Sequence, residues 1–520
     1  MSSHRPDNAA PRAQQPQQPQ QPHQPHQSDE HPSDPPPGWR EAFEAELLPL
    51  LKRTEAPGVG ITLFTPGEVL LEAGYGHRDV AQGLPVTADT LFGVASITKS
   101  VTALSLKLLA DDGRLSLDDP VTDYLPFTLW EGREPARLRH FLDHTSGLAP
   151  TPTMTWLRLA SQADDPVAAE ASRAEALSTV AAAAPAADSA ADGGTGGQAA
   201  GEAELARLAA EVSTFEGLVA WLNANAVLLG EPGEVFSYSN DAFCLMGGVV
   251  ERVTGAPFEE FVRARILAPL GMERSTFDLS RVLADEDRTV IYERGASGAV
   301  LPSPAWQTTG RMLGGGMLKS TLADLRAWVR WLMAQDLPAG AAQAGPGSVY
   351  GLGLRTEDAG DFSVVGHGGS LKGVSSQIAW VPELGVGVVV LSNLAGLPSM
   401  KMALMALNAY AGRPVTQPLY DPAPFAGTAA EEARILSELV GNYASGEPYG
   451  RLRLYADATG ALRAAVGAPA VDLPAFLVSA NEVALRYPEY LSPVMFLRRA
   501  NGAVWAAHQG SRALLRVTQG

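Results

Sequence analysis

The feature that most constrains this 520-residue chain is a serine and a lysine, three residues apart, at the start of an apolar helix pattern. In Ser96-Ile97-Thr98-Lys99 the two side chains share one helix face, because residues three apart on a helix are neighbours. Apolar residues recur at helical spacing from Ile97 to Leu108, and the pattern stops before Asp111-Asp112-Gly113, which is a helix-end signal. The sequence therefore predicts a helix that holds the Ser96 hydroxyl beside the Lys99 amine.

This spacing suggests a chemical role for the pair. A serine hydroxyl is a poor nucleophile until a neighbouring base accepts its proton, and a buried lysine that is partly neutral can be that base. A helix start also offers free backbone N–H groups to a developing oxyanion. Taken alone, Ser-x-x-Lys arises by chance in long chains and usually marks a solvated helix face. The motifs that follow decide between these interpretations.

Two polar motifs follow in order. The first, Tyr238-Ser239-Asn240, precedes a helix predicted over 241–254. By itself it is ordinary turn chemistry, and an isolated asparagine there would more often cap the helix. The second, Gly366-His367-Gly368-Gly369-Ser370, precedes a predicted hairpin whose strands span 375–381 and 386–391. Its glycines would let an edge strand approach a substrate closely, so the order and spacing of the motifs favour a catalytic site.

Together the three motifs resemble the signature of penicillin-recognising enzymes, in which Ser-x-x-Lys, a polar triplet ending in asparagine and a basic residue before glycine follow one another. The chain therefore resembles the serine β-lactamase-like superfamily. Because its triplet begins with tyrosine, it is similar to the branch of class C β-lactamases, D-aminopeptidases, family VIII esterases, CubicO-type peptidases and related carboxypeptidases. Supporting matches spread over roughly residues 40 to 400 and include Phe92-Gly93-Val94-Ala95, His144-Thr145-Ser146-Gly147-Leu148, Pro232-Gly233-Glu234-Val235-Phe236, Pro269-Leu270-Gly271-Met272 and Gly314-Gly315-Gly316.

The resemblance implies a fold and a set of catalytic roles. The fold would be α+β, of the β-lactamase/transpeptidase type, with an antiparallel sheet flanked by helices and an all-helical subdomain. In the family the tyrosine and the first lysine form a proton relay, so Tyr238 would take the Ser96 proton and later activate water. A phenol needs adjacent cations for this near neutral pH, and the resemblance places Lys99 and His367 beside it. Asn240 would hold a substrate carbonyl and steer Lys99.

By the same resemblance, the third motif would form the substrate side of the site. Gly368 and Gly369 would bind substrate, and the backbone N–H groups of Ser96 and Ser370 would form the oxyanion hole. His367 would also bind substrate, but the β-lactamase pattern carries lysine at this position. A histidine is only partly charged near neutral pH, so penicillin hydrolysis is disfavoured and the D-aminopeptidase, D-amidase, esterase and CubicO-type members are favoured. A structural histidine packed beside glycines stays open as the alternative.

The predicted function is that of a serine hydrolase that acts through an acyl-enzyme on esters, amides or peptides containing D-amino acids. Two alternatives stay open: a β-lactamase or D-Ala-D-Ala carboxypeptidase-type penicillin-binding enzyme, and a catalytically inactive binding or scaffolding member. The substrate cannot be read from one sequence, because loops form the pocket walls. No metal or other cofactor is expected, since the nine histidines lack ligand spacing and the chain has no His-Glu-x-x-His or phosphate-cradling motif.

Composition bounds the partners of the chain. A net charge of −18 with 46% hydrophobic residues describes an acidic protein without a basic patch for nucleic acid. No apolar run is long enough for a signal peptide or a membrane span, so no membrane contact and a cytoplasmic location are expected if Met1 is the true start. The expected partner is a small-molecule or peptide substrate, and a homo-oligomer stays open. The single cysteine, Cys244, is expected to be a small buried hydrophobe.

Composition also divides the chain. Residues 1–38 are rich in Gln and Pro and are expected to be disordered. Residues 39–417 are expected to form the hydrolase domain, which an Ala/Gly-rich insertion interrupts at 160–212. The insertion is predicted to be a helical excursion with a flexible middle. It could rim the substrate mouth, and a variable surface loop is the alternative.

A separate C-terminal domain is predicted over 418–520. Short runs of alternating residues, separated by turn signals, predict a small β-barrel or meander. It is similar to the lipocalin-like domain attached to several peptidase relatives. Three roles stay open for it: shaping substrate access, mediating dimerisation and stabilising the chain. The runs that carry the prediction are 451–455, 462–466, 483–487 and 514–517.

Overall fold

The computed structural model describes residues 35–161, 195–295, 297–303, 306–337, 340, 342–447, 450–467 and 470–517. Of the predicted tail, residues 1–34 lie outside the described residues, as do 162–194 of the predicted insertion. In the described part of the insertion, Thr195–Glu211 form a helix.

Helices pack against both faces of a large sheet and fill the region between the first two motifs. A helix packs against the sheet through one apolar face. In the first helix this face consists of the buried residues Trp39, Phe43, Leu47 and Leu50, which recur at helical spacing. In chain order the α-helices are α1 Trp39–Arg53, α2 Thr98–Asp111, α3 Leu138–Leu142, α4 Thr153–Ala160, α5 Thr195–Glu211, α6 Phe215–Asn225, α7 Asn240–Thr254, α8 Phe258–Val262, α9 Leu279–Ala284, α10 Leu322–Met333, α11 Ser399–Tyr410 and α12 Ala429–Leu439. Turns of 3-10 helix span Ala95–Ile97, Val121–Asp123 and Pro382–Leu384, and a π-helical turn spans Arg263–Leu267. In the ranges given above, no helix is long and apolar enough to cross a lipid bilayer.

Within the described ranges, nine strands form one antiparallel sheet with the order β3-β2-β1-β13-β12-β11-β10-β9-β8. β4 pairs with β7 and β5 pairs with β6 in two separate two-stranded sheets. In chain order the strands are β1 Gly58–Phe64, β2 Val69–Asp79, β3 Leu84–Pro85, β4 Phe92–Gly93, β5 Ile291–Arg294, β6 Val300–Ser303, β7 Lys319–Ser320, β8 Ala342–Gly345, β9 Ser348–Gly351, β10 Leu354–Asp358, β11 Ser363–Leu371, β12 Val374–Val381 and β13 Val386–Ser392. The predicted hairpin over 375–391 is confirmed as β12 and β13.

Side chains alternate between the two faces of this sheet, and each face has its own core. On β13, Val386, Val388 and Val390 pack with α1 and α11, whereas Val389 and Leu391 belong to the core that contains α2 and α10. This alternation is the period of two expected of a strand covered on both sides. The core that contains α2 and α10 also holds α3 to α6, which lie between the first two motifs, and α7 and α8, which follow the second motif, so the all-helical subdomain and the sheet share one core.

The C-terminal region of the described chain contains a closed barrel of eight strands, after the capped helix α12. The strands are β14 Gly441–Ala444, β15 Arg451–Ala456, β16 Leu462–Val466, β17 Val471–Ser479, β18 Glu482–Arg486, β19 Leu491–Arg498, β20 Val504–Gln509 and β21 Arg512–Val517. The barrel has its own apolar core, with Tyr443, Leu454 and Phe496 among its members. Sheet and barrel belong to one compact unit that begins at Pro35. The predicted α+β fold with a small C-terminal β-barrel is confirmed.

Candidate active site

Ser96 lies in the 3-10 turn Ala95–Ile97, which leads directly into α2. Ala95 has a φ of 47°, a conformation that is uncommon for a residue with a side chain and marks a constrained turn. Neighbours hold the turn, since Thr98 Oγ1 donates to the Ala95 carbonyl at 2.6 Å and Leu318 N donates to Thr98 Oγ1 at 3.2 Å. Ser96 is half-buried within a buried stretch and lines a cavity.

Lys99 is fully buried in the first turn of α2, and its amine meets three oxygen atoms. Nζ lies 3.1 Å from Ser96 Oγ, 2.9 Å from Asn240 Oδ1 and 2.5 Å from the Gly315 carbonyl oxygen. Amide oxygens only accept hydrogen bonds, so two of the three directions around the nitrogen are committed to donation. In the third direction a charged lysine donates to Ser96 Oγ, whereas a neutral lysine accepts the Ser96 proton.

The second motif reaches Lys99 from the start of α7. Ser239 is the helix cap, because its side chain accepts a hydrogen bond from Ala242 N at 3.1 Å. The asparagine is therefore not the cap, and its side-chain oxygen binds Lys99 instead. The Tyr238 ring also faces this amine, with its centroid 4.8 Å from Lys99 Nζ, and Tyr238 lines the same cavity.

His144 holds the second motif in place through two hydrogen bonds. Its Nδ1 accepts a hydrogen bond from Ser239 N at 3.1 Å, and its carbonyl accepts one from Ser237 N at 2.8 Å. The imidazole ring packs against the Tyr238 ring at a centroid distance of 4.2 Å. Burial, reinforced by the Lys99 charge, lowers the pKa of His144 well below its usual value, so the ring is neutral.

The third motif lies on β11, and the prediction that this is an edge strand is wrong. β10 pairs with residues 363–366 and β12 pairs with residues 365–371, so β11 lies inside the sheet. The physical reason is the additional hairpin β9–β10, which covers the first half of the strand. In the described chain the pairing of β10 with β11 ends at Gly366. Beyond that residue, Gly368, Gly369 and Ser370 of β11 line the cavity.

Gly369 allows β11 to approach the turn that carries Ser96. A Cβ atom at this position would lie 2.4 Å from the Val94 carbonyl oxygen and 2.9 Å from Ala95 Cβ. Ser376 on the neighbouring strand donates to the same Val94 carbonyl at 2.8 Å. The absence of a side chain at Gly369 therefore brings Ser370 and Ser96, the two expected oxyanion donors, to one wall of the cavity.

His367 is neutral, which corrects the expectation that it serves as a cation beside Tyr238. Its Nδ1 lies 2.6 Å from the Gly368 carbonyl oxygen, which can only accept, so Nδ1 carries the proton. Nε2 then accepts a hydrogen bond from the Tyr350 hydroxyl at 2.9 Å. Burial, followed by the nearby Lys99 charge, lowers the pKa of His367 to about 3. The physical reason is burial, which disfavours the charged form of the ring.

The barrel also contributes to the site, through residues that the sequence analysis did not identify. In the turn between β20 and β21, the Ser511 carbonyl accepts a hydrogen bond from Tyr238 N at 2.8 Å. Arg355 Nη2 donates to Ser511 Oγ at 2.5 Å. The next residue, Arg512, places its guanidinium carbon 5.0 Å from the Tyr238 ring centroid and forms an ion pair with Glu447. The sequence signals only the turn, at Gly510, and carries no signal for this contact.

The cavity formed by these elements has a volume of about 560 Å³. Its charged lining includes residues from α4, β10 and the barrel, and Arg355 Nε lies 3.5 Å from Glu357 Oε1. Burial raises the pKa of Glu357. Cys244 is buried, as expected, and borders the cavity. Among the described residues no cluster of three or more His, Cys, Asp or Glu side chains could hold a metal ion.

The fold and the arrangement of Ser96, Lys99, Tyr238 and Asn240 define a member of the serine β-lactamase-like superfamily, which confirms the resemblance seen in the sequence. More narrowly, the family model for Beta-lactamase matches residues 43–411, so the chain belongs to the β-lactamase family.

Relatives and solved structures agree with this assignment. Protein flp of Staphylococcus aureus (strain MW2) is 27% identical over 365 residues, which cover 66% of this chain and 61% of that protein. A D-aminopeptidase of Gluconobacter oxydans (strain 621H) is 27% identical over 364 residues, which cover 68% of this chain and 58% of that protein. The chain thus spans about three fifths of the length of these relatives.

Among solved structures, the octameric penicillin-binding protein homologue from Pyrococcus abyssi has a TM-score of 0.60 at 24% identity, covering 92% of this chain and 100% of that one. A D-stereospecific amidohydrolase from Streptomyces sp. has a TM-score of 0.52 at 24% identity, covering 72% of this chain and 97% of that one. At these identities the likeness concerns the fold alone.

Proposed function

We propose that the protein is a serine hydrolase that forms an acyl-enzyme on Ser96 and acts on esters, amides or peptides that contain D-amino acids. One observation carries this proposal: Lys99 Nζ contacts Ser96 Oγ at 3.1 Å and Asn240 Oδ1 at 2.9 Å beside a cavity of about 560 Å³. Cavities of this size hold small ligands, and a buried base next to a hydroxyl is the arrangement that nucleophilic catalysis needs.

In the proposed mechanism Ser96 Oγ attacks the substrate carbonyl carbon and loses its proton. A neutral Lys99 accepts this proton, because its other two directions donate to Asn240 and Gly315. Lys99 gives this proton to the Tyr238 phenolate, and Tyr238 passes it to the leaving alcohol or amine as the bond to that group breaks. In the second half, water loses a proton to the same relay and attacks the acyl carbon, which releases the acid and restores the Ser96 hydroxyl.

The negative charge that develops on the carbonyl oxygen needs hydrogen-bond donors. We assign this role to the backbone N–H groups of Ser96, on the turn, and of Ser370, on the half of β11 that pairs with β12 but not with β10. The close fit of Gly369 against Val94 and Ala95 supports the assignment, because it joins these two segments. One such donor typically stabilises the transition state by about 3 kcal/mol. Gly368, Gly369 and the Asn240 amide are then placed to bind the substrate.

Two observations favour amides and peptides over penicillins as substrates. The D-aminopeptidase relative, at 27% identity, acts by its name on D-amino-acid compounds. In addition, His367 is neutral, so the third motif has no positive charge of its own for the carboxylate of a penicillin. His367 is retained in the proposal as a neutral wall of the substrate site.

Replacement of the nucleophile tests this proposal. Ser96→Ala should abolish labelling by a fluorophosphonate probe and lower turnover of an activated ester by roughly three orders of magnitude or more. Ser105→Ala is the matched control, since Ser105 is a buried serine on the same helix that donates to Val101 O at 2.9 Å. Turnover and labelling that survive in Ser96→Ala would refute the mechanism. A panel of D- and L-amino-acid amides, esters and nitrocefin then ranks the substrate classes.

A further inference from the structure

We propose that Arg512, a residue of the barrel, is a positioning residue for Tyr238 and supplies the positive charge that the third motif lacks. This inference rests on the proposed function, in which Tyr238 carries protons. It assigns the barrel a part in catalysis that acts through Tyr238, by a side chain outside residues 43–411, the region that the family model matches.

The first observation is the position of the guanidinium. Arg512 begins β21 and lines the cavity, with its guanidinium carbon 5.0 Å from the Tyr238 ring centroid. Its side chain is 28% exposed, so the charge is only partly screened by solvent. On the other side Arg512 Nε donates to Glu447 Oε2. The carboxylate orients the guanidinium and neutralises part of its charge, and the remaining part acts on the ring.

A second, independent observation is that the backbone around Arg512 is attached to the tyrosine motif on both sides. Tyr238 N donates to the Ser511 carbonyl at 2.8 Å, and Ala513 N donates to Ser237 Oγ at 3.3 Å. Ser511 has a φ of 76°, the left-handed conformation that a tight turn requires. These contacts fix the backbone of Arg512 beside the tyrosine motif, and the Glu447 carboxylate holds the guanidinium end of the side chain.

Other titratable groups also face Tyr238. The ring centroids of His144, His367 and Tyr350 lie 4.2, 6.2 and 6.4 Å from that of Tyr238. Burial lowers the pKa of both histidines and raises the pKa of Tyr350, so all three are uncharged near neutral pH.

Two cationic side chains of the described residues therefore lie over the Tyr238 ring, Lys99 and Arg512. Lys99 exchanges a proton with Ser96 in the proposed mechanism, so its charge changes during the reaction. A guanidinium stays protonated throughout. Arg512 is thus the constant positive charge beside the phenol, and a nearby positive charge favours the phenolate that accepts a proton.

The test measures the pH profile of kcat/KM with p-nitrophenyl acetate, an uncharged ester, so that binding of a substrate anion makes no contribution. Arg512→Gln should move the midpoint of the profile up by about one pH unit and lower kcat/KM about tenfold below that midpoint. Arg512→Lys, which keeps the charge, should restore the midpoint largely. Arg453→Gln removes an exposed arginine of the same barrel that stacks on Tyr455, and it should leave the profile unchanged.

An unchanged midpoint in Arg512→Gln would overturn the proposal, whatever happens to the rate. That outcome would make Arg512 an ordinary structural residue or a ligand for anionic substrates. If Arg512→Gln does not fold, Glu447→Gln tests the same interaction from the other side. Removal of the neutralising carboxylate should move the midpoint down, and no movement or an upward one would overturn the proposal.

A substrate-independent measurement separates this inference from the proposed function. Carbon-13 NMR of protein labelled at tyrosine Cζ, with Tyr238→Phe to assign the signal, reports directly on formation of the Tyr238 phenolate. In Arg512→Gln this signal should titrate about one pH unit higher than in the wild type. If Ser96→Ala shows that turnover does not depend on Ser96, the proposed function fails, and the NMR titration still decides whether Arg512 acts on Tyr238.

Discussion

A single methyl group at Gly369 should separate the turn that carries Ser96 from the part of β11 that carries Ser370. The Cβ of an alanine would lie 2.4 Å from the Val94 carbonyl oxygen, against the roughly 3.0 Å that real Cβ atoms keep, so one segment must retreat by at least about 0.6 Å. Ser376 Oγ is equally close at 2.4 Å and can rotate away, but the Val94 carbonyl belongs to the backbone and cannot. Overpacking of this kind costs about 1 to 3 kcal/mol of unfolding free energy. Displacement of a catalytic group by about 1 Å lowers the rate by up to about a hundredfold.

Gly369→Ala should therefore lose about tenfold to a hundredfold in kcat for an activated ester while it remains folded at ambient temperature. The comparison is Gly387→Ala on β13, where the new Cβ would lie 2.8 Å from the Phe64 ring, away from the cavity. That variant should lose stability without losing kcat. Thermal unfolding and ester turnover, measured on both variants, check the pair. Wild-type kcat in Gly369→Ala would refute the argument that this close contact sets the distance between Ser96 and Ser370.

Two further predictions concern residues around the relay. Asn240→Ala removes an acceptor of the Lys99 amine and should slow acylation about tenfold or more in a stopped-flow burst. Ser239→Ala, which removes only the cap of α7, should cost about 1 kcal/mol of stability and leave the burst nearly unchanged, so equal slowing in both would contradict the assignment. Burial raises the pKa of Asp143 from 3.8 to about 6, because the neutral carboxylic acid is favoured in the folded state. The folded state is therefore favoured by this group below about pH 4, and this stabilisation is lost as the pH rises through 6 and the buried carboxyl group must ionise. Asp143→Asn should therefore stabilise the protein at pH 7 by about 1 to 3 kcal/mol and have little effect near pH 4, and an equal effect at both pH values in denaturant unfolding would contradict this.

Local spacing explains how much of the site could be predicted. Ser96 and Lys99 are neighbours on one helix, and Asn240 starts another, so short motifs carry their geometry. The lysine–asparagine contact at 2.9 Å is the geometry that the family resemblance implied. The β-barrel was predictable for the same reason, because alternation and turn signals are local properties.

Contacts between distant segments account for what the sequence did not reveal. A lone tyrosine such as Tyr350 has no motif, and its bond to His367 arises only when β9 and β11 pack together. The charge of His367 depends on its burial, which spacing does not encode. The turn before Arg512 is visible in the sequence. Its hydrogen bond to Tyr238 depends on how the barrel packs against the rest of the chain.

The hydrogen bond from Tyr238 N to the Ser511 carbonyl has a consequence for how the protein is synthesised and modified. A nascent chain carries Ser96, Tyr238 and β11 well before the ribosome reaches Ser511, so the tyrosine motif acquires this partner only after the whole nine-stranded sheet has been synthesised. Exchange of barrels between relatives would preserve the site only if the incoming turn presented a carbonyl at the same place. In this protein the barrel is therefore not an interchangeable module.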